Sequence, residues 1–397
     1  MFERIDPAPP DAILGLTEAF RNDTNPRKVN LSVGQYEDEN GKTPILPAVR
    51  EAERRILETS STKGYLPMDG DATYGAAVRN LLLGEDHPAI AEKRVATSQT
   101  PGGTGGLRVA ADFASTTLGI SRVWLTNPTW PNHPSIFEAA GMEAVSFAYY
   151  DAKNHGLDAE AMLADLQQVR AGEMVVLHGC CHNPTGVDLS VEHWDALGEL
   201  LASRGAIPLV DFAYQGFAES LEADAVGVRR FLQHIPDALI CSSFSKNFGL
   251  YRERVGALTL VGQTAAATSA AQSWVKKAIR VLYSNPPYHG AAIVATVLND
   301  AELRAQWVEE LAEMRNRIQD IRQQFASEMA KLAPGYDFTF IPRQRGMFSF
   351  SGLTAEHVDR LRSEHSVYIV RNGRINIAGL NKANVDYVCQ AIAAVLS

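Results

Sequence analysis

The chain has 397 residues, 46% hydrophobic and 21% charged, enough for two globular cores and with no signature of disorder. Its formal charge of -9, with lysine and arginine scattered along the sequence, repels a nucleic-acid backbone. No run of about 18 apolar residues offers a membrane span, and the opening MFERIDPAPPDAI has no basic region followed by an apolar stretch, so a cytoplasmic protein is expected.

Between about residues 43 and 263, seven apolar, β-branched runs alternate with segments of helical period: VATSQT, RVWLTN, AVSFAYY, VVLHGC, IPLVDFA, LICSSF and GALTLV. Such alternation predicts an α/β fold with an open, mostly parallel sheet covered on both faces. One intervening piece, SVEHWDALGELLASRG, has a helix-start residue in Ser190 and a stop glycine in Gly205, as a crossover helix should. After Asn299 a long helix is predicted up to Pro334-Gly335, followed by the strand-like pieces FSFSGL, VYIV and RINIAG of a smaller α+β unit. The residues alone leave open which unit the N-terminus joins.

Ligands of an open parallel sheet bind beyond the carboxyl ends of its strands. Three apolar runs end in polar groups there: Asn183 after VVLHGCCH, Asp211 and Tyr214 in IPLVDFAYQG, and Ser243, Ser245 and Lys246 in ALICSSFSKNFG. A fourth, VATSQT, enters the glycine-rich TPGGTGG and then a helical pattern. N–H groups at Gly103, Thr104 and Gly105 could cradle a phosphate at that helix start. The motif lacks the P-loop ending and the dinucleotide spacing, and its glycines could equally serve tight packing.

Asp211 ends a buried run, where a carboxylate needs a cation or hydrogen-bond donors. A pyridinium nitrogen about 3 Å away, at an effective dielectric near 20, would attract it by roughly 5 kcal/mol before desolvation; a turn cap is the alternative. Lys246 alone reads as a solvated charge. To act as an amine nucleophile it needs its pKa lowered, and Arg254 offers nearby positive charge. The four cysteines, Cys180, Cys181, Cys241 and Cys389, form no CxxC, and adjacent Cys180 and Cys181 are poorly placed to bridge. His182 follows them without a second cluster at ligand spacing, so no metal is expected.

Four motifs in order, HNPTG at 182–186, DFAYQGF at 211–217, SFSKNFGLYRERVGA at 243–257 and YSNPP at 283–287, resemble the aspartate and aromatic-amino-acid aminotransferases. These are class I aminotransferases of the fold-type-I pyridoxal phosphate enzymes. The resemblance spans nearly the whole chain. It implies a large domain with a mostly parallel seven-stranded sheet between helices, plus a smaller α+β domain. Residues 1–43 would form an N-terminal arm and the first part of the small domain, 44–313 the large cofactor-binding domain, and 314–397 the rest of the small domain.

The same resemblance implies roles residue by residue. Lys246 would hold pyridoxal 5'-phosphate as a Schiff base and then move the proton between substrate α-carbon and cofactor. Asp211 would pair with the pyridinium nitrogen, with His133 behind it, while Tyr214 and Asn183 donate to the phenolic oxygen. Gly103, Thr104, Gly105, Ser243, Ser245 and Arg254 would hold the phosphate, joined by Tyr65 of the partner subunit in a homodimer with shared active sites. Trp130 would stack on the ring and, with Asn183 and Gly34, line the substrate. Arg374 would clamp the α-carboxylate and Arg280, from the other subunit, a distal one. The small domain would close over the substrate.

On this reading the partners are an amino acid and a 2-oxo acid: L-aspartate and 2-oxoglutarate, exchanged by ping-pong aldimine and ketimine chemistry. Thr104 and Asn285 look like the aspartate branch. YLPM at 65–68 is similar to the aromatic branch, and Gln35 and Glu37 depart from the aspartate pattern. Tyrosine or phenylalanine is therefore the alternative donor, alone or alongside aspartate. The intact Lys246, Asp211 and Arg374 set speaks against a silent cofactor-binding relative.

Overall fold

All seven anticipated runs form one sheet in the computed structural model, which describes residues 2–7 and 14–397. Residue 1 and residues 8–13, part of the expected arm, lie outside the described residues. We label the strands β1 (Val95–Pro101), β2 (Arg122–Asn127), β3 (Glu143–Ala148), β4 (Met174–His178), β5 (Ile207–Phe212), β6 (Ala238–Ser243) and β7 (Val255–Val261). Their spatial order is β1-β7-β6-β5-β4-β2-β3. Neighbours are parallel except β7, which runs antiparallel to both β1 and β6.

The continuous apolar character of these runs has a direct cause. Every residue of β4, β6 and β7 is buried, because helices cover the sheet. Leu107, Val109 and Phe113 of the helix Gly102–Thr116 share one core with Val123, Val176, Leu209 and Leu258 of the strands and Ile279 of the helix Ala265–Leu282. Each such side chain contributes about 1.5–3 kcal/mol. The crossover helix is Val191–Arg204, with Ser190 at its N-cap and Gly205 following at its end. Ser190 Oγ accepts from the His193 amide and His193 Nδ1 accepts from the Ser190 amide, a reciprocal cap with histidine in the usual glutamate place.

Two runs end earlier than anticipated. AVSFAYY leaves the sheet after Ala148, and Tyr150–Asp151 turns back in a hairpin on Gly156–Leu157. VVLHGC leaves at His178: Cys181 adopts a φ of 51°, and the Asp188 carboxylate accepts the amides of Cys181 and His182 at 2.8 and 2.9 Å.

The chain divides into two units, one of residues 44–183 and 187–317, which holds this sheet, and one of residues 1–43, 184–186 and 318–397. The helix Ala301–Leu332 runs through the division between Arg317 and Ile318 and stops just before Ala333-Pro334. In the smaller unit Val29–Asn30 pairs in parallel with Val367–Tyr368, and Phe348–Phe350 pairs antiparallel with Arg374–Asn376. These strands are shorter than FSFSGL, VYIV and RINIAG; the last turns into a 3-10 helix at Ile377–Gly379. Among the described residues no helix is long and apolar enough to cross a membrane.

Candidate active site

Because β1, β4, β5 and β6 point the same way, their carboxyl ends share one edge of the sheet. In register, His178 lies opposite Asp211, and Asp211 opposite Cys241. The four segments flagged by their polar ends, after β1, β4, β5 and β6, therefore start from one edge.

Asp211 is 8% exposed. Its Oδ2 accepts from His133 Nε2 at 3.1 Å, and His133 Nδ1 lies 2.7 Å from the Thr129 hydroxyl. A carboxylate acceptor assigns the ring proton to Nε2, so Nδ1 accepts from Thr129. The other carboxylate oxygen, Oδ1, is buried with no hydrogen-bond partner. Burial by itself raises the Asp211 pKa, but the His133 hydrogen bond, helped by the positive charge of Lys246, outweighs it and leaves the group below its ordinary range. The result is an ionised, buried carboxylate with one oxygen open to a cation or a protonated ring nitrogen.

His178 sits beside this pair with neither ring nitrogen hydrogen-bonded. Burial first, then the neighbouring His133, lowers its pKa to about 3, so it is neutral. Its ring centroid is 5.2 Å from that of His133 and 4.2 Å from that of His182. Trp130 packs edge-on to His133 at 5.3 Å. Ligand-type atoms of His133, His178 and Asp211 lie within 4.8 Å of one another. The His133–Asp211 hydrogen bond engages two of those three groups, which favours a carboxylate supported by histidine over a metal set.

Lys246 follows β6 in a turn fixed from several sides. The Phe244 amide donates to the Val255 carbonyl at 3.0 Å, and the Gly249 amide to the Lys246 carbonyl at 3.0 Å. Asn247 Nδ2 donates to the Gln215 carbonyl at 3.2 Å, Trp307 Nε1 to the Asn247 carbonyl at 2.7 Å, and Trp307 stacks on Phe248 at 4.3 Å. The Lys246 ammonium lies 4.8 Å over the ring of buried Tyr214. Asp211, Tyr214 and Lys246 are thus brought together. Asn183, also buried, ends the segment after β4.

The glycine-rich segment is helical from its start: Gly103, Thr104 and Gly105 form the first turn of Gly102–Thr116. Gly102 has φ 75°, and a Cβ there would lie 2.4 Å from Arg254 Nη2. A Cβ on Gly256 would meet the Gly102 carbonyl carbon at 2.4 Å. Packing and cradle are therefore the same feature, since the close approach seats Arg254 at the helix start. Arg254 Nη1 donates to Ser245 Oγ at 3.2 Å, and Ser243 Oγ donates to Ser245 Oγ at 3.2 Å. Helix amides, two hydroxyls and a guanidinium suit a phosphate dianion.

In the smaller unit, Arg374 is 2% exposed. Its guanidinium carbon lies 4.2 Å over the Phe348 ring and Nη2 donates to the Ser32 carbonyl at 2.6 Å. Gly34 admits that ring: a Cβ there would lie 2.5 Å from Phe348 Cζ. Gln35 Nε2 donates to the Thr43 hydroxyl, and the Gln35 main-chain carbonyl accepts from Asn376 Nδ2 at 2.8 Å.

Tyr65 and Arg280 lie elsewhere on the larger unit. Tyr65 is 95% exposed, and Arg280 is exposed on the last turn of Ala265–Leu282. Arg280 Nη1 bonds Ser284 Oγ, Ser284 Oγ donates to Asn285 Oδ1 at 3.0 Å, and Asn285 Nδ2 donates to the Leu66 carbonyl at 2.7 Å. These bonds run between the two segments and not to the Lys246 turn. Sequence reasoning passed over His178 and Thr129, although His178 ends an apolar run just as Asp211 does. Ser32 and Phe348 carry no local signal, because only strand pairing brings them to Arg374.

The family model described as aminotransferase class I and II matches residues 26–392. The aspartate aminotransferase of Salmonella typhi is 52% identical over 396 residues, covering 100% of both chains. The aromatic-amino-acid aminotransferase of Pseudomonas aeruginosa is 46% identical, covering 99% of this chain and 98% of its own. Among solved structures, that of the aromatic-amino-acid aminotransferase of Burkholderia pseudomallei covalently bound to pyridoxal phosphate superposes with a TM-score of 0.97 at 50% identity, covering 100% of both chains. With this constellation at the strand ends and these likenesses along its full length, the chain belongs to the class I and II aminotransferases.

Proposed function

We propose that this aminotransferase uses pyridoxal 5'-phosphate to move the amino group of L-aspartate to 2-oxoglutarate, with tyrosine or phenylalanine as secondary donors. The observation that carries the cofactor is Asp211, a buried carboxylate kept ionised yet holding one oxygen without a partner. The donor set around it fits: an anion cradle at Gly103, Thr104, Gly105, Ser243, Ser245 and Arg254, an amine at Lys246, and an aromatic face at Trp130. When bound, pyridoxal phosphate supplies a protonated pyridine ring that takes up charge developing at the substrate α-carbon.

The chain's own groups do the rest. Lys246 would hold the cofactor through its amine and, as a free amine, would take the α-proton and return it, acting as base and acid in turn. Asp211 would keep the ring nitrogen protonated, and the His133–Thr129 chain holds its carboxylate in orientation. Tyr214 and Asn183 would donate to the phenolic oxygen. Arg374 takes the α-carboxylate, because a planar fork on a fixed ring gives direction as well as charge.

The reading includes a cytoplasmic homodimer in which Tyr65 and Arg280 serve the partner's site. Large exposed apolar groups near them support it, with Val281 at 81% and Trp274 at 47% exposure on the Arg280 helix and Tyr288 at 43% just beyond. All four cysteines are free and buried, as suits a reducing compartment. Arg280 favours a second carboxylate, whereas Glu37 opposes one; the aromatic-amino-acid aminotransferase relative keeps the aromatic reading in view. The test is a substrate panel on purified, cofactor-loaded protein with 2-oxoglutarate as acceptor. Aspartate turnover ahead of tyrosine and phenylalanine is expected, and absence of aspartate turnover would overturn the proposal.

A further inference from the structure

Arg322, on the helix Ala301–Leu332, is 1% exposed, among the largest fully buried side chains. A guanidinium in that position requires acceptors for its donors. Nη1 donates to the Ile341 carbonyl at 3.1 Å and to the Ser349 hydroxyl, while Nη2 donates to the carbonyls of Gly346 at 2.7 Å and Phe348 at 2.6 Å. One turn earlier, Gln319 Nε2 donates to the Pro342 carbonyl at 2.9 Å. All five acceptors belong to residues 341–349, the segment that leads into the strand Phe348–Phe350.

That strand pairs with Arg374–Asn376, Phe350 opposite Arg374 and Phe348 opposite Asn376. The Phe348 ring meets the Arg374 guanidinium at 4.2 Å on its face and presses its edge against Gly34, where a Cβ would come within 2.5 Å. The ring has no slack on the Gly34 side. A guanidinium seated on a ring and one carbonyl points its other donors only as well as that ring is fixed.

We infer that Arg322 is a positioning residue for the carboxylate clamp: by holding the Gly346 and Phe348 carbonyls it fixes the ring on which Arg374 is seated, and so sets the direction of the clamp. The inference rests on Arg374 taking the substrate α-carboxylate. Arginine suits this task where lysine does not, because one ammonium cannot span two separated acceptor pairs at once.

The experiment uses cofactor-loaded Arg322→Lys and Ser349→Ala, the second removing one acceptor while leaving the guanidinium in place. Three readouts are taken: KM and kcat for L-aspartate, Kd for succinate as a non-reacting dicarboxylate, and the half-reaction rate with a simple alkylamine that has no α-carboxylate. Arg322→Lys should raise KM and the succinate Kd about tenfold, and Ser349→Ala about two- to threefold, with the alkylamine rate within about twofold of the parent. Equal losses on aspartate and alkylamine would point to a general structural defect and overturn the inference, as would an unchanged succinate Kd. If Arg322→Lys does not fold, Ser349→Ala decides by the same criteria. Arg374→Leu run in parallel separates the two ideas. Unchanged succinate binding there defeats the clamp reading itself, whereas lost binding there with both other variants intact defeats the role of Arg322 alone.

Discussion

Replacing Asp211 by asparagine preserves shape and removes one charge, so it isolates what the carboxylate contributes. At about 3 Å and an effective dielectric near 20, a carboxylate and a protonated ring nitrogen attract by roughly 5 kcal/mol. Little solvent reaches the group, which is 8% exposed, and its desolvation is already met by the His133 hydrogen bond at 3.1 Å. Allowing about 1 kcal/mol for the hydrogen bond that asparagine can still make, the protonated ring nitrogen loses about 4 kcal/mol of support, so its population, and the rate that depends on it, falls by up to about a thousandfold. The assay is rapid mixing of the loaded variant with L-aspartate, following cofactor absorbance, alongside equilibrium dialysis for cofactor affinity and a thermal melt. A half-reaction about a thousandfold slower is expected, with the protein still folded and Lys246 still carrying the cofactor. A folded, loaded variant slowed less than about tenfold would refute the assignment of Asp211 to the ring nitrogen.

Gly102→Ala places a Cβ 2.4 Å from Arg254 Nη2 on a backbone at φ 75°. Arg254 must move, and cofactor affinity measured by dialysis should fall at least about tenfold, beyond the roughly 1–2 kcal/mol of backbone strain; unchanged affinity would contradict the cradle. His178 has a folded-state pKa of about 3 against an ordinary 6.5, so below about pH 6.5 the unfolded chain binds a proton that the folded chain refuses. Stability from this group is therefore full above that pH and is lost as pH falls toward 3, with a slope of at most about 1.4 kcal/mol per unit. Denaturant titrations from pH 7 to 5 should show a shallower fall for His178→Gln than for the parent, and identical slopes would count against the buried neutral histidine.

What could be read from the sequence follows from what is local. Strands β4, β6 and β7 are buried at every residue because both of their faces are covered, and the ends of the Ser190–Gly205 helix are written in its capping residues. The reversed direction of β7 is invisible in GALTLV, since side-chain character does not encode strand polarity. In the smaller unit the strands are two or three residues long, too short for alternation to mark their limits. Among site residues, Asp211, Lys246 and the serines stand at strand ends and could be found there. His178 stands at one too, but the run VVLHGCCHNPTG reads on to Asn183 as its polar end, so nothing local marks His178 as the last residue of the strand. The seat of Arg374 was out of reach altogether: Ser32 and Phe348 lie 342 and 26 residues away in sequence, and only the fold joins them.

The turn that carries Lys246 is held by hydrogen bonds at Phe244, Asn247 and Gly249 and by the stacked Trp307 and Phe248. With its main chain so restrained, the lysine can change position only through rotations along its own methylene stem. In the role proposed for Lys246, the moving part of the chemistry is a tether of four rotatable bonds, carrying about 2 kcal/mol of rotamer entropy when free, anchored to a stationary base. Its reach is set by the length of that stem. A shorter amine at the same backbone position could not recover the distance by bending the turn.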